Sequence, residues 1–127
     1  MSEVRLRKID CVLVRVDDLA AASRFYAERL GLRELWRDES SAGMGLPETD
    51  AEVVLHTMDL PPAHAVHYLV EDVRAAAASW RESGLEVRTE PFEIAVGWCA
   101  ILADPFGNAV CVLDLTGGAR SGSAASG

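Results

Sequence analysis

The sequence contains one pattern twice, once in each half of the chain. Residues 9–33 read IDCVLVRVDDLAAASRFYAERLGLR, and residues 65–87 read AVHYLVEDVRAAAASWRESGLEV. A shift of 54 positions places Asp18 on Asp72 and Tyr26 on Trp80. Such a repeat constrains the fold strongly, because each copy forms the same supersecondary unit. We therefore expect two modules of the same architecture.

Each copy follows one order of local signals. An alternating, β-branched run typical of a strand comes first. An aspartate then follows as a helix N-cap, and an alanine-rich helix ends at Gly31 or Gly84, a residue that tolerates a left-handed C-cap. Three further strands follow each helix, and the turn Asp104–Asn108 joins the last two. The sequence therefore predicts two β-α-β-β-β modules, at residues 8–60 and 61–115.

Length, charge and hydropathy exclude several classes of protein. A chain of 127 residues has the size of one domain. Its net charge of −8 argues against a nucleic-acid partner, which needs a basic surface. No apolar run is long enough for a membrane span, and the first residues, MSEVRLRKID, contain no apolar leader. We expect a cytoplasmic protein whose three cysteines are reduced.

The two ends of the chain are expected to lie outside the folded domain. Residues 1–7 are predicted to be a flexible N-terminus. Residues 116–127 read TGGARSGSAASG, which is small, polar and rich in glycine and serine. Such a segment has no apolar side chains to bury, so we expect a disordered tail.

Three segments resemble the vicinal oxygen chelate superfamily, which groups glyoxalases, bleomycin-resistance proteins and extradiol dioxygenases. They are VLVRVDDLAAASRFYAERLGLRE, HYLVEDVRAAAASWRESGLEV and LADPFGNAVCVLDL, and the resemblance covers about residues 8–115. It implies an α+β fold in which each module is a curved four-stranded sheet with its helix on the convex face. The two modules then form an open half-barrel whose cleft holds the ligand. The resemblance also implies a homodimer.

Strand alternation assigns the candidate cleft residues. In the first strand, Val12, Val14 and Val16 share the face that suits packing under a helix, so the other residues face the cleft. The same argument applies to the fifth and last strands, and Trp98 is added because its ring can stack on a flat ligand. The predicted ligand-binding residues are Cys11, Leu13, Arg15, His67, Leu69, Trp98, Cys111 and Leu113.

Metal chemistry is not expected from this sequence. The resemblance implies metal ligands at Cys11, Ala65 and Cys111, and at Leu55, or at His56 if the register shifts by one residue. Alanine and leucine offer no ligand atom, so we expect no metal, no cofactor and no assigned catalytic residue. One alternative stays open, in which Cys11, His67 and Cys111 hold a soft ion such as Zn²⁺ or Cu⁺. Buried structural cysteines are the favoured interpretation.

The polar candidates have several interpretations. His67 is a buried packing residue, a ligand-recognition group or an acid–base residue. Arg15 pairs with Glu71, binds an anionic ligand or lies in water at the rim. We expect His64 to be exposed to solvent, and His56 to point to the convex side or to solvent.

The leading hypothesis is a metal-independent protein that binds a small, partly apolar organic molecule. Bleomycin-resistance proteins, which sequester a drug without transforming it, are the precedent that the resemblance supplies. The negative charge suits a cationic ligand. Three alternatives remain: a glyoxalase- or dioxygenase-like enzyme with an atypical Cys/His metal site, a metal-free enzyme that uses His67 or Cys11, and a vestigial domain that serves only in oligomerisation.

Overall fold

The computed structural model describes residues 4–117, which form eight strands and two α-helices. In the first module these are β1 (Lys8–Arg15), α1 (Leu19–Leu30), β2 (Arg33–Arg37), β3 (Ser41–Leu46) and β4 (Thr49–His56). In the second they are β5 (Val66–Leu69), α2 (Val73–Glu82), β6 (Val87–Ile94), β7 (Gly97–Ala103) and β8 (Ala109–Leu113). The linker between the modules contains a short 3₁₀ helix, Pro62–His64.

The eight strands form one mixed sheet in the order β2-β3-β4-β1-β5-β8-β7-β6. Within the modules, β1 pairs with β4 and β5 pairs with β8 in parallel. The modules meet where β1 pairs antiparallel with β5. This topology confirms the predicted α+β fold of two β-α-β-β-β modules.

The helices begin where the sequence predicts. The side chain of Asp18 accepts a hydrogen bond from the Ala21 N–H, and that of Asp72 accepts one from the Ala75 N–H, each at 3.0 Å. Gly31 closes α1 in the left-handed conformation, with φ of 79°. These caps satisfy N–H groups at the start of each helix and fix where the chain turns back onto the sheet.

Both helices cover the same face of the sheet, which the family resemblance implies is the convex one. Val14 of β1, and Val16 just beyond the end of this strand, pack with the apolar side of α1, as predicted. Val73 and Ala77 of α2 pack in a second cluster with Val112 of β8. The opposite face carries neither α-helix, and we refer to it as the concave face.

The packed chain extends slightly beyond the predicted domain boundaries. The Arg7 N–H donates to the Leu69 carbonyl at 2.7 Å, and Val4 packs against the cluster under α2. At the other end the Gly117 N–H donates to the Val96 carbonyl at 3.0 Å. The rest of the two terminal segments, residues 1–3 and 118–127, lies outside the described residues. Within residues 4–117, neither helix has the length and hydropathy that crossing a membrane requires.

Candidate functional site

A row of four titratable side chains crosses the concave face. Cys11 on β1 is the register partner of Glu52 on β4 and of His67 on β5. His67 in turn pairs with Cys111 on β8. Cys11, Glu52 and Cys111 are buried, and His67 is partly buried. The sheet thus brings thiol, carboxylate and imidazole groups onto one line at the junction of the two modules.

Most of the predicted binding residues lie on the concave face, but their side chains pack against neighbouring side chains. Leu69, Cys111 and Leu113 form a cluster with Cys99 and Ile101 of β7. Cys11 packs with Trp36 and Val54, and Leu13 lies against them. The alternation argument therefore assigned these faces correctly, and these side chains fill much of the expected cleft.

The placement of Trp98 in the cleft is wrong. Its side chain packs against the cluster under α2, and the Arg74 guanidinium lies 4.4 Å from the centre of its ring. Cys99 and Ile101 of the same strand lie on the concave face, so alternation puts Trp98 on the convex one. The prediction rested on the aromatic ring of Trp98 and did not take into account the alternation of side chains along β7.

The expected positions of the two other histidines are also wrong. His56 is 4% exposed and pairs in register with Arg15, so it lies on the concave side and away from solvent. Burial lowers its pKa. His64 is partly buried, and its Nδ1 lies 4.0 Å from the Cys111 Sγ. The linker therefore folds back over the second module and carries His64 onto the sheet.

A cavity of about 580 Å³ lies at one end of the concave face. Two buried carboxylates, Asp10 at 4% exposure and Glu52 at 7%, belong to its wall. The remaining lining residues are Lys8, Arg33, Leu35, Gly45, Leu46, Pro47, Thr49, Asp50, Ala51 and Leu115. None of the eight predicted binding residues, all of which the structure describes, belongs to this wall. We refer to it as the acidic cavity.

Sequence reasoning missed the acidic cavity for two separate reasons. The pairing of β1 with β5 shifts between Ile9 and Cys11, and this irregularity breaks the alternation at Asp10. In β4, the resemblance implies an acid at the position of Leu55, which packs under α1. Val54 and Glu52 of β4 share the concave face with Cys11, as does His56. Counting back by two from Val54 would have found Glu52.

Trp36 holds the Glu52 carboxylate in place. The indole Nε1–H donates to the Glu52 Oε1 at 2.8 Å, and both side chains are buried. The indole lies across Gly43 of β3, where a Cβ atom would come within 1.9 Å of the Trp36 Nε1. A glycine at this position therefore makes room for the ring that orients the carboxylate.

A second, smaller cavity of about 180 Å³ lies at the other end of the concave face. Leu13 and Arg15, both predicted binding residues, line it together with His56 and His64. The Arg15 side chain is half exposed and pairs with Asp17 at 3.0 Å. Arg15 therefore lies in water at the rim, which was one of its three interpretations. We refer to this space as the rim cavity.

Residues 8–112 match the family model of the Glyoxalase/Bleomycin resistance protein/Dioxygenase superfamily. The chain belongs to this superfamily. The match covers both modules and agrees with the sheet order and with the helices on the convex face. It confirms the resemblance that the sequence motifs indicated.

Several solved structures share this fold. Methylmalonyl-CoA epimerase from Mycobacterium tuberculosis is 15% identical, with a TM-score of 0.69 over 90% of this chain and 91% of that one. A variant of the Streptomyces coelicolor methylmalonyl-CoA epimerase in complex with 2-nitronate-propionyl-CoA is 20% identical, with a TM-score of 0.65 over 87% and 98%. A structure described as NAD-dependent benzaldehyde dehydrogenase from Legionella pneumophila is 17% identical, with a TM-score of 0.62 over 83% and 97%.

At these identities the structural similarity establishes the fold of this superfamily member and no more. The similar structures also carry different names, so the fold alone does not select a reaction. No curated protein matches the sequence. The function of this glyoxalase-superfamily chain therefore has to be argued from its own site.

Proposed function

We propose that this glyoxalase-superfamily protein binds, and so sequesters, a small organic cation in the acidic cavity, without using a metal ion for recognition. The observation that carries the proposal is the burial of two carboxylates, Asp10 and Glu52, in the wall of one cavity. A volume of about 580 Å³ lies within the range of about 300–1,000 Å³ that is usual for small-molecule sites.

The charges of the cavity wall favour a ligand with positive charge. The wall contains Asp10, Asp50 and Glu52 against Lys8 and Arg33, and Lys8 already pairs with Asp50. An ammonium or guanidinium group of a ligand can donate charge-assisted hydrogen bonds to carboxylates in this wall. The net charge of −8 adds long-range attraction for such a ligand.

The remaining wall supports the organic part of the ligand. Leu35, Leu46, Pro47 and Leu115 contribute apolar surface around the two carboxylates. Burial of apolar ligand surface supplies most of the affinity in such sites, while a few polar groups fix the orientation. A ligand with one cationic head and a compact apolar body therefore fits this cavity best.

The acyl-CoA complex of the Streptomyces coelicolor epimerase suggests a different kind of ligand. A coenzyme A thioester carries several negatively charged phosphate groups. Buried Asp10 and Glu52 would repel negative charge brought into the acidic cavity. We therefore favour a cationic ligand over an acyl-CoA.

Removal of the Glu52 charge is expected to weaken cation binding. In Glu52→Gln the amide oxygen still accepts from Trp36, so the frame of the site is kept while the charge is lost. We expect the Kd of a bound alkylammonium or alkylguanidinium compound to rise by about tenfold to a hundredfold, the usual range for a charged hydrogen bond. Isothermal titration calorimetry measures this, after a thermal-shift screen that pairs each cation with a neutral analogue of the same shape.

Glu90→Gln is the matched control, because it removes the same charge from an exposed side chain that pairs with Arg81. Its Kd should stay within about twofold of the wild-type value, since exposed charges at a distance are screened by salt. Equal stabilisation by the cations and their neutral analogues would contradict the proposal. So would equal loss of affinity in the two variants.

We also propose that the chain is a homodimer, as the family resemblance implies. Phe25 and Leu30 on α1 are each about half exposed, and Phe106 in the β7–β8 turn is 85% exposed. Burial of such side chains against a second chain would favour association. Size-exclusion chromatography with light scattering should give about twice the chain mass of 13.7 kDa. A mass equal to one chain at all concentrations would rule the dimer out.

A further inference from the structure

A cluster of two imidazoles and one thiol lies on the concave face, outside the acidic cavity. It consists of His64 from the linker, His67 of β5 and Cys111 of β8, and one potential ligand atom from each lies within 4.8 Å of the other two. The Cys111 Sγ and the His64 Nδ1 are 4.0 Å apart. The rings of His64 and His67 meet edge to face, with centres 5.8 Å apart.

One atom of this cluster lacks a partner. The Nε2 of His67 is buried and has no hydrogen-bond partner within residues 4–117. Its other ring nitrogen, Nδ1, lies 3.5 Å from the Cys11 Sγ. The tautomer protonated at Nδ1 donates to Cys11 and leaves an unshared electron pair at Nε2. A buried acceptor without a donor costs free energy, and a bound cation would remove that cost.

A metal ion bound by this cluster displaces the proton of the Cys111 thiol, because only the thiolate coordinates the ion. We therefore expect the affinity for the metal to fall as the pH is lowered.

We propose that His64, His67 and Cys111 form a binding site for a borderline or soft d¹⁰ cation, Zn²⁺ or Cu⁺. Imidazole and thiolate are the preferred ligands of these ions. Ligand atoms around a tetrahedral zinc are about 3.3–3.8 Å apart, since the bonds measure about 2.0–2.3 Å. Closing the present separations to that range needs movements of about 1 Å, which the partly exposed linker helix at His64 allows.

The proposed site differs from the ligand positions that the family resemblance implies. Those positions are Cys11, Ala65, Cys111 and Leu55 or His56, so only Cys111 is shared. Three protein ligands leave one coordination position for water or a small ligand. Since His64 also lines the rim cavity, we expect that position to face this cavity. Cys11 lies 3.5 Å from the other ring nitrogen of His67 and is not one of the three proposed ligands.

Metal uptake by the untagged full chain tests the proposal directly. The reduced, chelator-treated protein is titrated with Zn²⁺ against a chromophoric chelator, and in a separate arm with Cu⁺. We expect one ion per chain in at least one arm. Titration with Co²⁺ as a spectroscopic substitute for zinc should give the intense near-ultraviolet absorption of a thiolate–cobalt bond.

Two variants identify the ligands, and a third is the matched control. His64→Gln, on the partly exposed linker, should weaken metal binding by about tenfold or more. Cys111→Ser should abolish the thiolate–cobalt absorption. Cys11→Ser removes another buried thiol that touches His67, and it should keep that absorption. Circular dichroism checks that each variant is folded, and His64→Gln remains informative if Cys111→Ser does not fold.

Several results would overturn the proposal. One is uptake of less than about a tenth of an ion per chain in both arms, because a formed site of this kind binds tightly. Another is wild-type affinity in His64→Gln. Loss of the thiolate–cobalt absorption in Cys11→Ser but not in Cys111→Ser would also contradict the assignment. Glu52→Gln should take up metal normally, so this test is independent of cation binding in the acidic cavity.

Discussion

Replacement of Asp114 by alanine is expected to lower the free energy of unfolding by about 3–5 kcal/mol. The side chain is fully buried just after β8. Its carboxylate accepts from the Val73 N–H at 2.6 Å and from the Trp98 N–H at 2.9 Å. It also accepts from the backbone N–H and the hydroxyl of Thr116, at 3.1 and 2.8 Å. Alanine would leave buried donors without an acceptor, which costs the desolvation of each of them.

The contacts of Asp114 explain why one side chain has so large an effect. Val73 is the first residue of α2, Trp98 lies near the start of β7, and Asp114 follows β8. One carboxylate therefore joins a helix N-terminus to two strands, and the helix dipole adds to its stabilisation. Gly97 leaves space for this arrangement, because a Cβ atom there would lie 2.3 Å from the Asp114 Oδ1.

The contribution of the Asp114 charge depends on pH in a defined direction. Burial alone would raise the pKa of this carboxyl, but the hydrogen bonds from Val73, Thr116 and Trp98 outweigh burial and lower it. A lowered pKa in the folded state stabilises the fold above the ordinary aspartate pKa. That stabilisation is lost as the pH falls through the lower, folded-state pKa. The difference between wild type and Asp114→Asn should therefore be largest near neutral pH and should shrink in acid.

Urea denaturation at neutral pH and at about pH 3 measures both effects, since the ordinary pKa of aspartate is about 3.9. Asp18→Asn is the control, because it changes an exposed N-cap to another good capping residue and should cost less than about 1 kcal/mol. A difference between wild type and Asp114→Asn that is the same at both pH values would show that the charge is not the stabilising feature.

The sequence predicts the framework of this fold because its signals are local. The aspartate caps, the alanine-rich helices and Gly31 each act within a few residues, and the repeat shows that they occur twice. Alternation then assigns Val14, Val16 and Val112 to the helix-bearing face. These assignments need only the period of a strand, which the chain itself supplies.

The candidate sites were less predictable because they depend on non-local geometry. The irregular pairing at Asp10 follows from how β1 meets β5, and the sequence of β1 carries no signal for it. His64 reaches Cys111 because the linker folds back over a distant strand. The alternation of side chains along β4 would have predicted Glu52 on the concave face, but only if Val54 had first been placed there. The cavities depend on these long-range contacts, so local sequence patterns do not predict where they form.

A methyl group at position 43 is expected to destabilise the protein by about 2–4 kcal/mol. In Gly43→Ala the new Cβ would lie 1.9 Å from the Trp36 Nε1 and 2.7 Å from the Glu52 Oε1. Neither side chain can move away easily, since the indole is buried and hydrogen-bonded to the carboxylate. The ring has to leave its place over β3, and Glu52 then loses the donor that holds it.

Gly45→Ala is the matched control, on the same strand and two residues further along. Its Cβ would lie 3.0 Å from the Leu35 Cδ1, at the end of a flexible side chain, so we expect a loss below about 1 kcal/mol. Combining Gly43→Ala with Trp36→Leu should recover part of the lost stability, because the smaller side chain vacates the position of the new methyl group. Thermal and urea unfolding measure the stability of the wild type, Gly43→Ala, Gly45→Ala and the double variant. If the double variant were no more stable than Gly43→Ala, the steric link between Gly43 and Trp36 would be refuted. Recovery of stability without recovery of cation affinity would instead indicate that Trp36 serves the acidic cavity by orienting Glu52.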